Sequence, residues 1–138
     1  MITFTVEGTA RPQGSKRHVG GGRMIESSKH VGAWRDWVRL KASQAMDGRE
    51  PLTGPIQLTI SFGFERPKKH WNAKGLRPDA PEWHTSKPDI DKLQRAVLDA
   101  MTGIVFTDDS QVVHVITEKL YRLPACTRIW IENHDKRS

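Results

Sequence analysis

Aspartates are unevenly spread along this chain. Five of the nine, Asp89, Asp91, Asp99, Asp108 and Asp109, fall between positions 89 and 109 of a protein that is otherwise basic. Carboxylates gathered in a basic protein are electrostatically odd unless a positive group sits among them. A hard divalent cation fits, because Mg²⁺ takes carboxylate oxygen and keeps coordination positions open for phosphate. The spacing also has a plainer reading. Asp89 or Asp91 could cap a helix, Asp108-Asp109-Ser110 is ordinary turn chemistry, and Asp91 with Arg95 or Arg95 with Asp99 are i,i+4 pairs. Spacing alone leaves both readings open.

The elements around these residues can be read from periodicity. Ile90, Leu93, Val97 and Met101 form one stripe of a helix from about Asp89 to Thr102, with Gly103 as a left-handed stop. A helix of about 14 residues runs some 21 Å. Asp109 therefore lies at its far end unless Gly103 to Thr107 doubles back, or unless Asp109 of a second chain meets Asp89 and Asp91 of the first. A turn near Thr107 to Ser110 leads into an apolar strand from Val112 to about Leu120. Pro124 marks another turn, and Thr127 to Glu132 reads as the last strand.

Upstream, Ile2, Phe4 and Val6 alternate with polar residues as in a half-buried strand. Ser27 or Ser28 could cap a helix from about Lys29 to Met46, with Val31, Trp34, Val38, Ala42 and Ala45 on one face and Gly48 as its stop. Ile56, Leu58, Ile60, Phe62 and Phe64 mark the clearest strand. The expected architecture is one α+β (mixed α/β) domain over residues 1–138. It has a sheet of about four strands, two main helices and the order β-α-β-α-β-β.

Two segments lack periodicity, about 8–24 and 65–87, and both are basic. Long loops of this kind in a compact domain are usually functional or disordered. Lys16, Arg17 and Arg23 in the first, and Arg66, Lys68, Lys69, Lys74, Arg77 and Lys87 in the second, suit phosphate contacts. Trp71 either stacks on an unpaired base or packs at the core edge. Trp34, Trp37 and Trp130 fit core or dimer packing better. The net charge of +6 favours a polyanionic partner. Cys126 is the single cysteine, which excludes an internal disulfide or a thiolate metal cage. The first residues lack a signal-like pattern and no apolar run could span a bilayer, so a cytoplasmic protein without membrane contact is expected. His84 and His114 lie nearest the acidic segment. They lack metal-ligand spacing and are not assigned.

The run from Lys87-Pro-Asp89-Ile-Asp91 through Arg95, Asp99 and Gly103 to Asp108-Asp109-Ser-Gln111 resembles the signature of the RusA family of Holliday junction resolvases. Val6-Glu-Gly8, the basic Pro12-Gln-Gly-Ser-Lys16-Arg17 and Lys119-x-Tyr121 are similar as well. The resemblance implies a homodimer that nicks four-way junctions in pairs, in recombination and repair. It implies Mg²⁺, with Mn²⁺ as a substitute, and no small-molecule cofactor. Asp89, Asp91 and Asp109 match the family's metal-binding carboxylates. Arg95 falls where members often carry a catalytic Lys; Arg keeps the charge but is a poor proton donor. Lys92, where Asn is frequent, could offset phosphate charge. Asp99 would orient Arg95, and Asp108 would shape the turn. The rival readings are a non-catalytic DNA-binding module and a nuclease for flaps or forks.

Overall fold

The computed structural model describes residues 1–14, 16–18, 24–26 and 30–134, with backbone alone at 16–18 and 24–26. The side chains of Lys16 and Arg17, and Arg23, Ser27 and Ser28 altogether, lie outside the described residues. Among the described residues, eight strands and two α-helices follow in chain order: β1 (Ile2–Glu7), β2 (Lys16–His18), β3 (Met24–Glu26), α1 (Val31–Met46), β4 (Ile56–Phe64), β5 (Trp71–Asn72), β6 (Gly75–Leu76), α2 (Ile90–Met101), β7 (Val112–Tyr121) and β8 (Cys126–Asn133). The main sheet is mixed, in the order β1-β8-β4-β7. β8 is antiparallel to both β1 and β4, while β4 and β7 run parallel. Parallel neighbours need a long crossover. Here the second basic segment and α2 supply it. The four-strand, two-helix α+β fold read from the sequence is the one found, with β2–β3 and β5–β6 added as short hairpins.

The core forms where the helices cover one face of this sheet. Ile56, Leu58, Ile60, Phe62 and Phe64 of β4 alternate inward and are all buried. They meet Val31, Trp34, Val38, Ala42 and Met46 of α1 and Leu93, Ala96, Val97, Ala100 and Met101 of α2. Full burial of each large aliphatic or aromatic side chain contributes about 1.5–3 kcal/mol. Among the described residues, no helix is long and apolar enough to cross a membrane.

Helix ends differ in detail from the sequence expectation. α1 starts at Val31, and His30 precedes it without a side-chain cap. Two left-handed residues close it, Asp47 (φ 49) and the expected Gly48 (φ 80). Arg49 then donates to the carbonyls of Met46 and Ala45, both at 2.9 Å, satisfying acceptors the helix leaves open. α2 spans the expected residues, and Gly103 after it has φ 86. Ile90 departs from the expected stripe. It is 38% exposed, and Ala96 and Ala100 join Leu93, Val97 and Met101 on the buried face instead. Trp37 also sits at the rim, donating its indole N–H to the Glu7 carbonyl at 3.0 Å.

Candidate active site at the start of the second helix

Asp89 occupies the N-cap position of α2, but its side chain makes no capping hydrogen bond. The plain capping reading of Asp89 therefore fails. Its oxygens turn instead to lysines: Lys87 Nζ lies 3.3 Å from Oδ1, and Lys92 Nζ lies 3.9 Å from Oδ2. Lys87 is exposed and Asp89 and Lys92 are half exposed, so these contacts orient the side chains more than they stabilise the fold. Asp91 follows in the first turn, where the helix N-terminus tolerates negative charge, and it is exposed. The loop Pro12–Gly14 closes over this point. The Gln13 N–H donates to the Lys92 carbonyl at 3.0 Å, and Arg35 holds the Gln13 side-chain carbonyl at 2.6 Å. Two hollows result, one of about 270 Å³ containing Asp89 and one of about 420 Å³ containing Asp91 and Arg95. Arg95 pairs with Asp99 at 3.4 Å, the orienting contact expected of that pair.

Lys119 belongs to this site and was visible in the sequence only through the Lys119-x-Tyr121 pattern. From β7 its ammonium donates to the carbonyls of Ser86 at 2.8 Å and Pro88 at 2.7 Å. Burial pushes its pKa down; the charge of Asp89 pulls it back up, and that of Lys87 pushes it down again. Next to it, the backbone N–H of His84 donates to the Lys119 carbonyl at 3.3 Å. The His84 ring is buried and stacked on Phe64 at 4.3 Å between centroids, and burial lowers its pKa.

Asp109 lies elsewhere in the chain. It opens a short 3₁₀ turn, Asp109–Gln111, just before β7. Asp108 caps that turn, accepting from the Ser110 N–H at 3.0 Å, while the Gln111 side-chain carbonyl accepts from the Asp108 N–H at 2.9 Å. The Ser110 side chain first, and then its backbone N–H, hold the Asp108 carboxyl below the usual carboxylate range. The Gln111 amide also donates to the carbonyls of Leu52 and Gly54 at 2.9 and 3.0 Å. The turn is thus pinned beside the C-terminal end of α2. Gly103 to Thr107 does not double back along the helix: the Gly103 N–H bonds the Phe106 carbonyl at 2.7 Å, and Phe106 bridges to Leu52. α2 has 12 residues, which makes it about 18 Å long. From Val112 to Lys119, β7 covers roughly 23 Å. Asp109 is therefore some 20 Å from Asp89 within one chain, by the same geometry. Among the described residues, no three His, Cys, Asp or Glu side chains are grouped so as to hold a metal ion.

The second basic segment carries the expected surface cations, with some already engaged. Lys68, Lys69 and Lys74 are exposed. Arg66 donates to the Pro81 carbonyl at 2.7 Å and lies over Tyr121 at 4.5 Å, and Arg77 pairs with Asp79 at 3.1 Å. Trp71 is 47% exposed and lines a hollow of about 300 Å³ with Glu65, Tyr121 and Leu123.

Carboxylates held among lysines at a helix start, on a domain with a basic loop, have the make-up of a protein that cuts a phosphodiester. Comparison with known proteins gives the family. The family model described as Endodeoxyribonuclease RusA matches residues 4–132. The chain belongs to the RusA family of endodeoxyribonucleases. It is 33% identical over 127 residues to the protein YqaN of Bacillus subtilis strain 168, an alignment covering 87% of each chain. It is 32% identical over 68 residues to the crossover junction endodeoxyribonuclease rusA of Lactococcus phage r1t, covering 48% of this chain and 45% of that one.

Proposed function

We propose that this protein is a Mg²⁺-dependent, structure-specific endodeoxyribonuclease. It resolves four-way DNA junctions by paired symmetric nicks in recombination and repair, and it acts as a cytoplasmic homodimer. The observation that carries this reading is Asp89, an N-cap residue whose carboxylate declines the helix and faces lysines and a hollow instead. Carboxylates that merely finish a helix bond its N–H groups.

The donor set fits a hard cation in chemistry, since Asp89, Asp91 and Asp109 offer only carboxylate oxygen. One chain brings two of the three together. The homodimer supplies the third, with Asp109 of one protomer meeting Asp89 and Asp91 of its partner. These residues would hold Mg²⁺, with Mn²⁺ as a substitute. Bound there, the ion would supply Lewis acidity toward the scissile phosphate. Arg95, held by Asp99, keeps a fixed positive charge one helical turn from Asp91 and offsets charge that develops on the phosphate oxygens. Lys87 and Lys92 hold Asp89 in place, and Lys119 fixes the backbone from which it projects. Lys16, Arg17, Arg66, Lys68, Lys69, Lys74 and Arg77 follow the DNA backbone. Trp71 stacks on a base left unpaired at the branch.

Labelled four-way junctions, flaps and linear duplex incubated with the protein in Mg²⁺ and in Ca²⁺ test the reading. Symmetric nicks in the junction with Mg²⁺ are expected, with binding but little cutting in Ca²⁺. Asp91→Asn abolishes cutting and retains junction binding. Preferred cutting of flaps reassigns the substrate, and binding without cutting in any divalent ion makes the protein a DNA-binding module.

A further inference from the structure

We propose that the hollow walled by His70, His84 and Tyr121 receives one unpaired nucleobase of the strand being cut, and that Glu65 and His84 favour a base with an exocyclic amino group. The inference deepens the nuclease reading above and rests on it. The hollow holds about 480 Å³, within the roughly 300–1,000 Å³ usual for small-molecule sites. It is distinct from the hollow of Trp71, with which it shares only Glu65 and Tyr121. Its walls are rings. His70 and His84 each meet Tyr121 edge to face, at 5.1 and 5.2 Å between centroids, and both histidines are buried. Flat aromatic walls suit a base, which can stack on them. The Nδ1 of His84 has no hydrogen-bond partner among the described residues. An unpaired buried polar atom destabilises a fold, and a ligand that supplies a partner removes that cost. What exposure the ring keeps opens on this hollow and on the next one, both of which it lines. Burial, then the charge of Lys119, lowers its pKa, so near neutral pH the ring offers one donor and one acceptor. Glu65 is exposed in the wall and has no ion pair among the described residues. A carboxylate there repels a phosphate and accepts from an amino group, as it does from cytosine N4. Adenine, cytosine and guanine carry such a group; thymine does not.

Position gives a second argument. Four hollows run end to end and join this one to the carboxylates. His84 and Glu65 also line a hollow of about 410 Å³ with Arg11. That hollow shares Pro12, Lys87 and Pro88 with the hollow of Asp89, which in turn shares Gln13 and Lys92 with that of Asp91 and Arg95. Lys69, Arg11, Lys87, Lys92 and Arg95 put a cation in each of the four. Cations along a track suit the backbone of a single strand, and rings at one end of it suit a base. A duplex backbone would use the charges and leave the rings idle. The link to the carboxylates is short. The His84 N–H donates to the Lys119 carbonyl, and the Lys119 ammonium reaches the Pro88 carbonyl. One lysine side chain thus separates the base hollow from the residue before Asp89, and the seated base belongs to a nucleotide close to the scissile phosphate.

Photocrosslinking tests the seat without needing cleavage. Four-way junctions carrying 5-iodocytosine at single positions on either side of the branch point are bound in Ca²⁺ and irradiated, and the adducts are mapped by mass spectrometry. One position is expected to link to His70, His84 or Tyr121. Adducts confined to other residues, or none at all, overturn the proposal. Base choice is read from single-turnover nicking in Mg²⁺ with that position occupied by cytosine or by thymine. The wild-type protein should cut the thymine junction on the order of tenfold more slowly. Glu65→Gln, and His84→Phe with its ring still stacked on Phe64, should each bring that ratio below about threefold. A wild-type ratio near one, or a ratio undiminished in both variants, overturns the roles of Glu65 and His84. Crosslinks at the hollow in a protein that nicks no junction would remove the nuclease reading and leave the base seat. Nicking without those crosslinks would do the reverse.

Discussion

Lys119 Nζ lies 2.7 Å from the carbonyl oxygen of Pro88, so the centre of one strand's C-terminal half holds the residue that precedes Asp89. A second bond from the same ammonium to Ser86 fixes the approach to α2 at two points. Charged donors to backbone carbonyls contribute about 1.5–3 kcal/mol. Lys119→Met keeps the aliphatic stem and removes both bonds. It is expected to lower stability by about 1–3 kcal/mol in urea unfolding. Junction cleavage should fall on the order of tenfold to a hundredfold, as for lost supporting contacts at metal sites, with junction affinity largely kept. Cleavage at the wild-type rate would show that the position of Asp89 does not depend on this contact.

Gln111 does for Asp109 what Lys119 does for Asp89. Its amide spans the Asp108 N–H and the carbonyls of Leu52 and Gly54. Gln111→Ala leaves these groups unpaired and frees the turn, costing about 1–3 kcal/mol by the usual range for such bonds. Cutting is expected to drop more than junction binding. Parallel loss of both would mean that the turn serves DNA binding rather than the carboxylate.

His84 makes stability depend on pH. Burial lowers its folded pKa below the ordinary value near 6.5, and its ring Nδ1 has no hydrogen-bond partner among the described residues. The unfolded chain therefore binds the proton more readily than the folded one, and stability rises with pH wherever that holds. Stability is full above about pH 6.5 and declines as the pH falls from there toward the lower folded value. His70, lowered by burial and by Arg66, adds in the same direction. Thermal unfolding at pH 7.5 and 5.5 should show a smaller loss for His84→Phe, which keeps the stacked ring on Phe64, than for wild type. Equal losses would clear His84 of the effect.

The fold was legible where one face of an element is buried. β4 shows its alternation because its inner residues meet both helices, and α2 ends where Gly103 allows a positive φ. β5 and β6 hold two residues each, too few for any period, and so the second basic segment read as a plain loop. Ile90 is apolar at a helical spacing yet stays exposed, something periodicity cannot register. Of the site, the aspartates stood out by type, and their pairing partners Lys87, Lys92 and Arg95 by closeness in sequence. Lys119 did not, because its contacts with Ser86 and Pro88 join residues about thirty positions apart. The separation of Asp109 from Asp89 was legible in the length of α2; that Gly103 to Thr107 does not double back rests on the Gly103–Phe106 bond and the Phe106–Leu52 bridge, the latter joining residues far apart in sequence.

The most direct measurement mixes two inactive chains, Asp91→Asn and Asp109→Asn, after subunit exchange, and follows nicking of a labelled four-way junction in Mg²⁺. A mixed dimer built on a shared site regains one intact set: Asp89 and Asp91 from the chain altered at 109, and Asp109 from the chain altered at 91. Nicking should return in the mixture to an appreciable fraction of wild type while each variant alone stays inert. A mixture as inactive as its parts, with subunit exchange demonstrated, would contradict the shared carboxylate site.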